Sequence, residues 1–291
     1  MTAVCIVTAA GHFCFVRTAT AKADGEGLQL ETGTVVTAAT VILKPTVGTT
    51  GSEALLLNGT STVTATGAAG ITVTTTGSVG NGLVLNTNST LEATSGPLTV
   101  DCSRPIAINL GTVESGNAAL SLTAFRISAG VGSSILSANG NITLNANPAT
   151  AASEVYDGIS LTGATIKSTG SGNITLSGKG GAGANTAETN RGINIVSSSL
   201  IQTGSGSITL TGNAGLYNGT GDFCIAGINL DTSDILSTSG NISLTGTGSS
   251  TGTATVGDCD GVNLEIASDI VTGSTGAVSI IGTAFRNGEG V

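Results

Sequence analysis

Four aspartates recur at one kind of place in this chain. Asp157, Asp222, Asp258 and Asp260 stand where a polar stretch gives way to a short apolar-polar-apolar triplet. Carboxylates set there offer hard oxygen ligands, so Asp222, Asp258 and Asp260 are calcium candidates. The nonapeptide calcium-binding repeat is absent, and Asp-Gly, as at 157–158 and 260–261, is also an ordinary turn. No metal and no cofactor are therefore expected. Five cysteines are present: Cys5, Cys14, Cys102, Cys224 and Cys259. Cys224 precedes Ile228 by four residues and Cys259 precedes Val262 by three, so the two thiols could face each other on neighbouring repeats. A disulfide there would close a sizeable loop; two free, partly buried thiols are the alternative. With one His in 291 residues, catalysis by His–carboxylate pairs and His-rich metal sites are close to excluded. No catalytic residue is identified, and an enzyme is not expected.

Two further sets of polar side chains fall into columns. Thr72, Thr99, Ser121, Thr143, Thr175, Thr209, Ser243 and Ser279 each lie between two aliphatic residues, and so do Asn194, Asn229 and Asn263. A flat ladder of hydroxyls suits an ice or crystal surface, but such faces need two regular Thr columns. The simpler reading is soluble strand residues bonding along a stack. The asparagines read as a structural amide ladder. Asn-X-Ser/Thr sequons at 58, 88, 141, 173, 218 and 241 are chance products of a chain rich in these residues.

What positions these columns is a repeat. Asn141-Ile-Thr-Leu, Asn173-Ile-Thr-Leu, Ser207-Ile-Thr-Leu, Asn241-Ile-Ser-Leu and Ala277-Val-Ser-Ile follow one another at steps of 32, 34, 34 and 36. Gly158-Ile-Ser-Leu, Gly192-Ile-Asn-Ile, Gly227-Ile-Asn-Leu and Gly261-Val-Asn-Leu keep pace, and Ile166, Leu200, Ile235 and Ile270 form a weaker set between them. The first half obeys the same grammar. Gly27-Leu-Gln-Leu, Ala54-Leu-Leu-Leu, Gly82-Leu-Val-Leu and Ala107-Ile-Asn-Leu make one column; Val35, Val63, Leu91 and Val113 a second; Val41, Ile71, Leu98 and Leu120 a third. A unit beginning near Ile127 is irregular, continued by Val131 and Ile135. A fixed period of this size means stacked repeats.

The units are strands. Ile174-Thr-Leu176 alternates with period two, placing Ile and Leu on one face and Thr on the other. Val, Ile and Thr suit a pleated surface. The recurrent Gly would cost a helix interior roughly 1 kcal/mol each relative to Ala. Similar strands lie one period apart rather than across tight hairpin turns, so Ile stacks on Ile. The fold expected is all-β: a parallel β-helix with three strands per turn, about nine turns and a rise of about 4.8 Å per turn. Right-handed winding is the expectation, although the residues alone do not fix the hand. The whole of 1–291 reads as one continuous solenoid. Extra residues collect between the third strand and the next first strand, at 145–157, 177–191, 211–226 and 245–260, and should stack on one side of the rod.

Composition limits the partners. There is no Trp, with only 2 Tyr and 5 Phe, so aromatic platforms for sugars are scarce. Lys and Arg number 9 against 18 Asp and Glu, giving a net charge of −9, so no phosphate-tracking stripe forms and nucleic acid is not expected. No run of about 20 apolar residues spans a bilayer. The apolar start Met1–Val7 lacks a basic leader and reads better as a strand than as a signal peptide. Val4-Cys-Ile6 with Gly11, Phe13 and Arg17 echoes Val278-Ser-Ile280 with Gly282, Phe285 and Arg286, and Glu289-Gly-Val291 echoes Glu26-Gly-Leu28. These echoes suggest an array cut from a longer one, whose bare strand edges invite end-to-end association.

The repeated Gly-Asn-Ile-Thr-Leu at 140–144 and 172–176 and the Gly-Ile-Asn-Leu at 227–230 resemble the β-helical repeats of bacterial filamentous-haemagglutinin-like adhesins and autotransporter passengers. The resemblance covers nearly the whole chain and is one of solenoid grammar. It implies a secreted or cell-surface rod displaying loops toward a host-cell or surface glycan or protein. Two other readings are carried beside it. One is a polysaccharide-acting β-helix enzyme, which needs clustered carboxylates; the other is an ice- or crystal-surface binder.

Overall fold

The computed structural model describes residues 12–15 (by their backbone), 26–46, 53–146, 154–183, 189–216, 225–249 and 258–286. Within them every regular element is a strand. Equivalent residues of successive repeats pair in parallel: Ile142 with Ile174, Ile174 with Ile208, Ile208 with Ile242, and Ile242 with Val278. The chain is thus a parallel β-solenoid, and its aliphatic ladder is a set of direct vertical neighbours.

Three strand columns line the bore. The first column is a nine-stranded sheet running from Leu28–Leu30 to Val262–Leu264. Nine strands stack in this column, but only seven rungs carry three separate strands, so the coil has about seven regular turns, slightly fewer than the nine expected from the repeats. The second and third columns belong to one 17-stranded sheet. They join because Val35–Leu43 and Thr62–Thr75 run through the corner between the two faces as single long strands. In the remaining rungs a short turn separates them, as between Thr165–Ser168 and Ile174–Lys179.

The bore is filled by Leu, Ile and Val. Leu55, Leu83, Ile106, Ile127, Ile159, Ile193 and Ile228 of the first column are fully buried, as are their partners on the other two faces. Each such side chain contributes roughly 1.5–3 kcal/mol on burial. At the last rung the inward-facing Leu264 and Val278 are exposed, because nothing among the described residues stacks below them.

Several register expectations need correction by a residue or two. The second column begins at Val36, which pairs with Val63, while Val35 is 68% exposed. Ile201, not Leu200, continues that column between Ile166 and Ile235. In both places two apolar residues adjoin, and a slip of one residue exchanges the faces. The fourth first-column strand buries Ile106 and Ile108; Leu110 is an exposed turn residue with φ +62°. Val131 is exposed, and Ile135 alone takes the bore position. The inserted segments start later than 145, 177, 211 and 245, since the third-column strands extend to Ala146, Lys179, Asn213 and Thr247.

The second corner carries a buried device that the periodicity did not reveal. Ser115, Ser137, Ser168, Thr203, Ser237 and Thr272 are stacked there in register. Ser137 Oγ donates to the Gly116 carbonyl, Thr203 Oγ1 to that of Gly172, and Ser237 Oγ to that of Gly206 while accepting from the Gly240 N–H. These hydroxyls satisfy turn groups that would otherwise be buried without partners. Gly140, Gly172, Gly206 and Gly240 stack beside them. A Cβ on any of the last three would collide with the carbonyl of the glycine one rung before.

Candidate functional site: the loop-bearing edge

The inserted segments leave and re-enter the coil at the corner between the third and first faces. Glycine makes that crossing possible. A Cβ on Gly178 would strike the Gly192 carbonyl, one on Gly212 that of Gly227, and one on Gly246 that of Gly261. The outgoing strand and the returning one therefore touch backbone to backbone. The last three insertions are thus pinched off from the bore at their roots, while at the first Ala146 stands in the place of the outgoing glycine.

Outside the pinch the roots bond to one another. Gly181 N donates to the Tyr156 carbonyl (2.9 Å), Gly183 N to that of Glu154 (3.0 Å), and Leu216 N to that of Gly181 (3.0 Å). Asn190 gathers all of them. Its Oδ1 accepts from Tyr156 N (2.8 Å), its Nδ2 donates to the carbonyls of Gly183 (3.2 Å) and Leu216 (2.9 Å), and its own carbonyl accepts from Gly215 N (2.7 Å). Asn190 is fully buried at φ +73°, a left-handed conformation that Asn tolerates better than most residues. One amide thus ties segments from three successive turns into a layered shelf.

A second amide device runs alongside. Asn194, Asn229 and Asn263 form the expected ladder: Asn229 Nδ2 donates to Asn194 Oδ1 (3.1 Å) and Asn263 Nδ2 to Asn229 Oδ1 (2.9 Å). It ends on carboxylates. Asn194 Nδ2 donates to Asp157 Oδ2 (3.0 Å), and Asn263 Nδ2 donates to Glu265 Oε1 (2.7 Å). Asp157 Oδ1 also accepts from Arg191 N (2.8 Å). Burial raises the Asp157 carboxyl above its ordinary range. The Arg191 N–H and charge, together with the Asn194 bond, oppose that shift. Asp157 is thus a half-buried cap on the ladder and more than a turn residue.

Above Asp157 the edge becomes aromatic. The Phe125 and Tyr156 rings lie 4.6 Å apart, Arg104 sits 5.3 Å from the Phe125 centroid, and Arg104 reaches Glu154 at 3.5 Å. This cluster went unforeseen, because its members come from three different turns with no shared motif.

The other expected residues are distributed as follows. Asp222 and Cys224 lie outside the described residues, as does the side chain of Asp258. The Asp260 backbone carbonyl accepts from Gly227 N. No group of three or more metal-ligating side chains occurs among the described residues. Cys259 is disulfide-bonded, to a partner outside those residues. Cys102 is a free, buried thiol whose pKa burial pushes up to about 12, so it carries little thiolate. Glu92 and Glu114 pair on adjacent rungs of the second face; burial, and then the charge of Glu92, raise the Glu114 carboxyl. No helix long and apolar enough to cross a membrane occurs among the described residues, which says nothing of a membrane β-barrel. No family model, no curated protein and no solved structure matches this chain.

Proposed function

We propose that this protein is a structural, adhesive rod of the cell surface or extracellular space, displaying its loops for attachment. The observation that carries the reading is the construction of the loop edge: roots pinched by glycine pairs and tied by Asn190 into one shelf. Such a shelf holds the loop roots in fixed mutual order while leaving the bore indifferent to the sequence between them. That is the arrangement expected where a repeat protein binds through one side.

Replacing residues 184–188 and 217–223 with short glycine linkers, which keeps Cys224, tests this. Attachment to a panel of cell and matrix-coated surfaces is expected to fall, with the β circular-dichroism spectrum and melting temperature retained. Attachment that persists undiminished in a folded variant overturns the reading.

One observation favours crystal-surface binding as a second reading. The third face carries a second outward column, Thr74, Asp101, Thr123, Asn145, Ser177, Thr211, Thr245 and Ile281, in register beside the first. Only the Thr72/Thr74 and Thr209/Thr211 rungs put Thr in both slots, so the lattice is mixed and the reading stands second. The enzyme reading gains only the Glu92/Glu114 pair, whose in-register neighbours Thr64 and Leu136 carry no charge.

A further inference from the structure

At the corner between the second and third faces, away from the loops, lies a shallow cleft of about 190 Å³ lined by Lys167, Ser168, Thr169, Gln202, Thr203, Gly204 and Thr238. The repeat itself builds it. Lys167 and Gln202 are register partners on adjacent rungs, both pointing outward. Two residues further on, Thr169, Gly204 and Thr238 occupy equivalent turn positions on three rungs. Gly204 is dictated by the backbone, since a Cβ there would collide with the Gly170 carbonyl. With no side chain projecting from this middle rung, the gap of the cleft lies over the backbone between Thr169 and Thr238.

The polar groups around this gap are free to bind. Neither the Lys167 ammonium nor the Gln202 amide has a hydrogen-bond or ion-pair partner among the described residues. Thr169 Oγ1 donates to the Ala138 carbonyl and keeps its acceptor capacity. Behind them Ser168 is fully buried, and its Oγ has no partner. The same outward column places Leu136 directly above Lys167 and Leu236 directly below Gln202. The cleft therefore offers one positive charge, an amide, hydroxyls and flanking aliphatic surface. That set suits a ring with an apolar face, several hydroxyls and a single anionic group. The volume equals about six water volumes, below the range for drug-sized ligands and on the scale of a single sugar ring.

We propose that this cleft binds one residue of an acidic sugar, a uronate or a sulfated pyranose, with Lys167 as its counter-charge and Gln202 and Thr238 receiving ring hydroxyls. Glu114 and Glu92 continue the Lys167 column beyond Leu136 and repel a polyanion laid along it. The ligand is therefore a short or sparsely charged glycan crossing the corner.

The test is calorimetry and saturation-transfer NMR on the full chain with a galacturonate tetramer, a sulfated galactose tetramer and a neutral galactose tetramer. At least one anionic probe is expected to bind, with the neutral one at least about tenfold weaker. Whichever anionic probe binds tells carboxylate from sulfate recognition. Lys167→Met is expected to weaken binding at least about tenfold, while Lys167→Arg holds it within about threefold. Both substitutions sit on the solvent side of a strand, and circular dichroism checks that they fold. Binding of neither anionic probe, equal binding of the neutral one, or unchanged affinity in folded Lys167→Met each overturn the proposal. Loop deletion leaves this site intact, so this test and the attachment test fail separately.

Discussion

The two halves of the rod share one interior and differ in the insertions and in part of the polar trimming outside it. In the first half, successive first-column strands begin at Leu28, Glu53, Asn81, Ile106 and Ile127; in the second, at Ile159, Ile193, Ile228 and Val262, one long insertion apart. The bore does not register the change, for Leu98, Leu120, Ile142, Ile174 and Ile208 remain stacked and fully buried across the boundary. The trimming changes instead. At the second corner the early rungs place Ala65 and Ala93 where later rungs place Ser115, Ser137 and Thr203. Amide ladders switch place too: Asn58–Asn86–Asn109 sits at the first corner early on, and Asn194–Asn229–Asn263 on the first face later. The difference teaches that each rung needs only its aliphatic contacts to continue the stack. Polar bonding between rungs then serves to organise whatever is added outside.

The sharpest way to break this comparison is to attack the shared part in both halves. Leu98→Ala and Ile208→Ala each leave a cavity in the same third-face column, and each is expected to cost about 2–5 kcal/mol. Stability in a solenoid is a sum over rungs and nearest neighbours. Hydrogen exchange should therefore show protection lost around the substituted rung in either variant, with similar falls in the denaturation midpoint. A variant in one half that costs nothing would mean the two halves do not share a bore in the energetic sense.

The next effect separates the halves. Asn190→Ala removes a buried acceptor and two donated bonds, leaving Tyr156 N and the Gly183 and Leu216 carbonyls to find other partners. It also places Ala at φ +73°, which Ala adopts poorly. A loss of about 2–3 kcal/mol is expected, the scale of orphaning buried hydrogen-bonding groups. It should be confined to the second half. Limited proteolysis is expected to cut within 180–191 and 214–216 much faster than in the parent, while residues 53–146 keep their hydrogen-exchange protection. Loss of protection in both halves would show that the shelf supports the bore and is not an addition to it.

What the sequence made legible divides along the same line. The bore could be read because Ile174-Thr-Leu176 and its equivalents repeat apolar-polar-apolar at a nearly constant step, and parallel stacking turns a linear period into a vertical contact. The reading slipped where Val35-Val36 and Leu200-Ile201 offered two apolar residues and period two could not choose between them. In the fourth unit the slip was of two residues: Ile106, Ile108 and Leu110 share one period-two phase, and period two could not tell that the buried pair is Ile106 and Ile108. The amide ladder was visible because Asn194, Asn229 and Asn263 keep the repeat spacing. Asn190 was not, because it lies in an insertion where no neighbour repeats it. Its role comes from tertiary bonds to Tyr156 and Leu216 on other turns. Lys167 and Gln202 do keep the spacing, but differing residue types in one column carry no signal until the register is known.

The smallest effect concerns the carboxylate that heads the second-half ladder, a feature without a counterpart in the first. Burial raises the Asp157 carboxyl in the folded chain above its ordinary value of 3.8. The charged form is therefore disfavoured by folding relative to the unfolded chain. The sign follows from linkage. Asp157 supports the fold most fully below its unfolded value, and that support is lost as pH rises through the raised native value, above which the loss is constant. Asp157→Asn cannot ionise and has no such slope. Asn can accept from only one of the Arg191 N–H and the Asn194 amide, so the variant sacrifices a bond at every pH. The stability of the parent minus that of Asp157→Asn should thus fall as pH rises from about 4 and then level off. The other carboxyls raised by burial, Glu53 and Glu114, are present in both proteins and cancel in the difference. Urea denaturation at a series of pH values reads it directly. A difference that grows with pH would mean that Arg191 and Asn194 outweigh burial, and that the ladder is headed by a carboxylate favoured in its charged form.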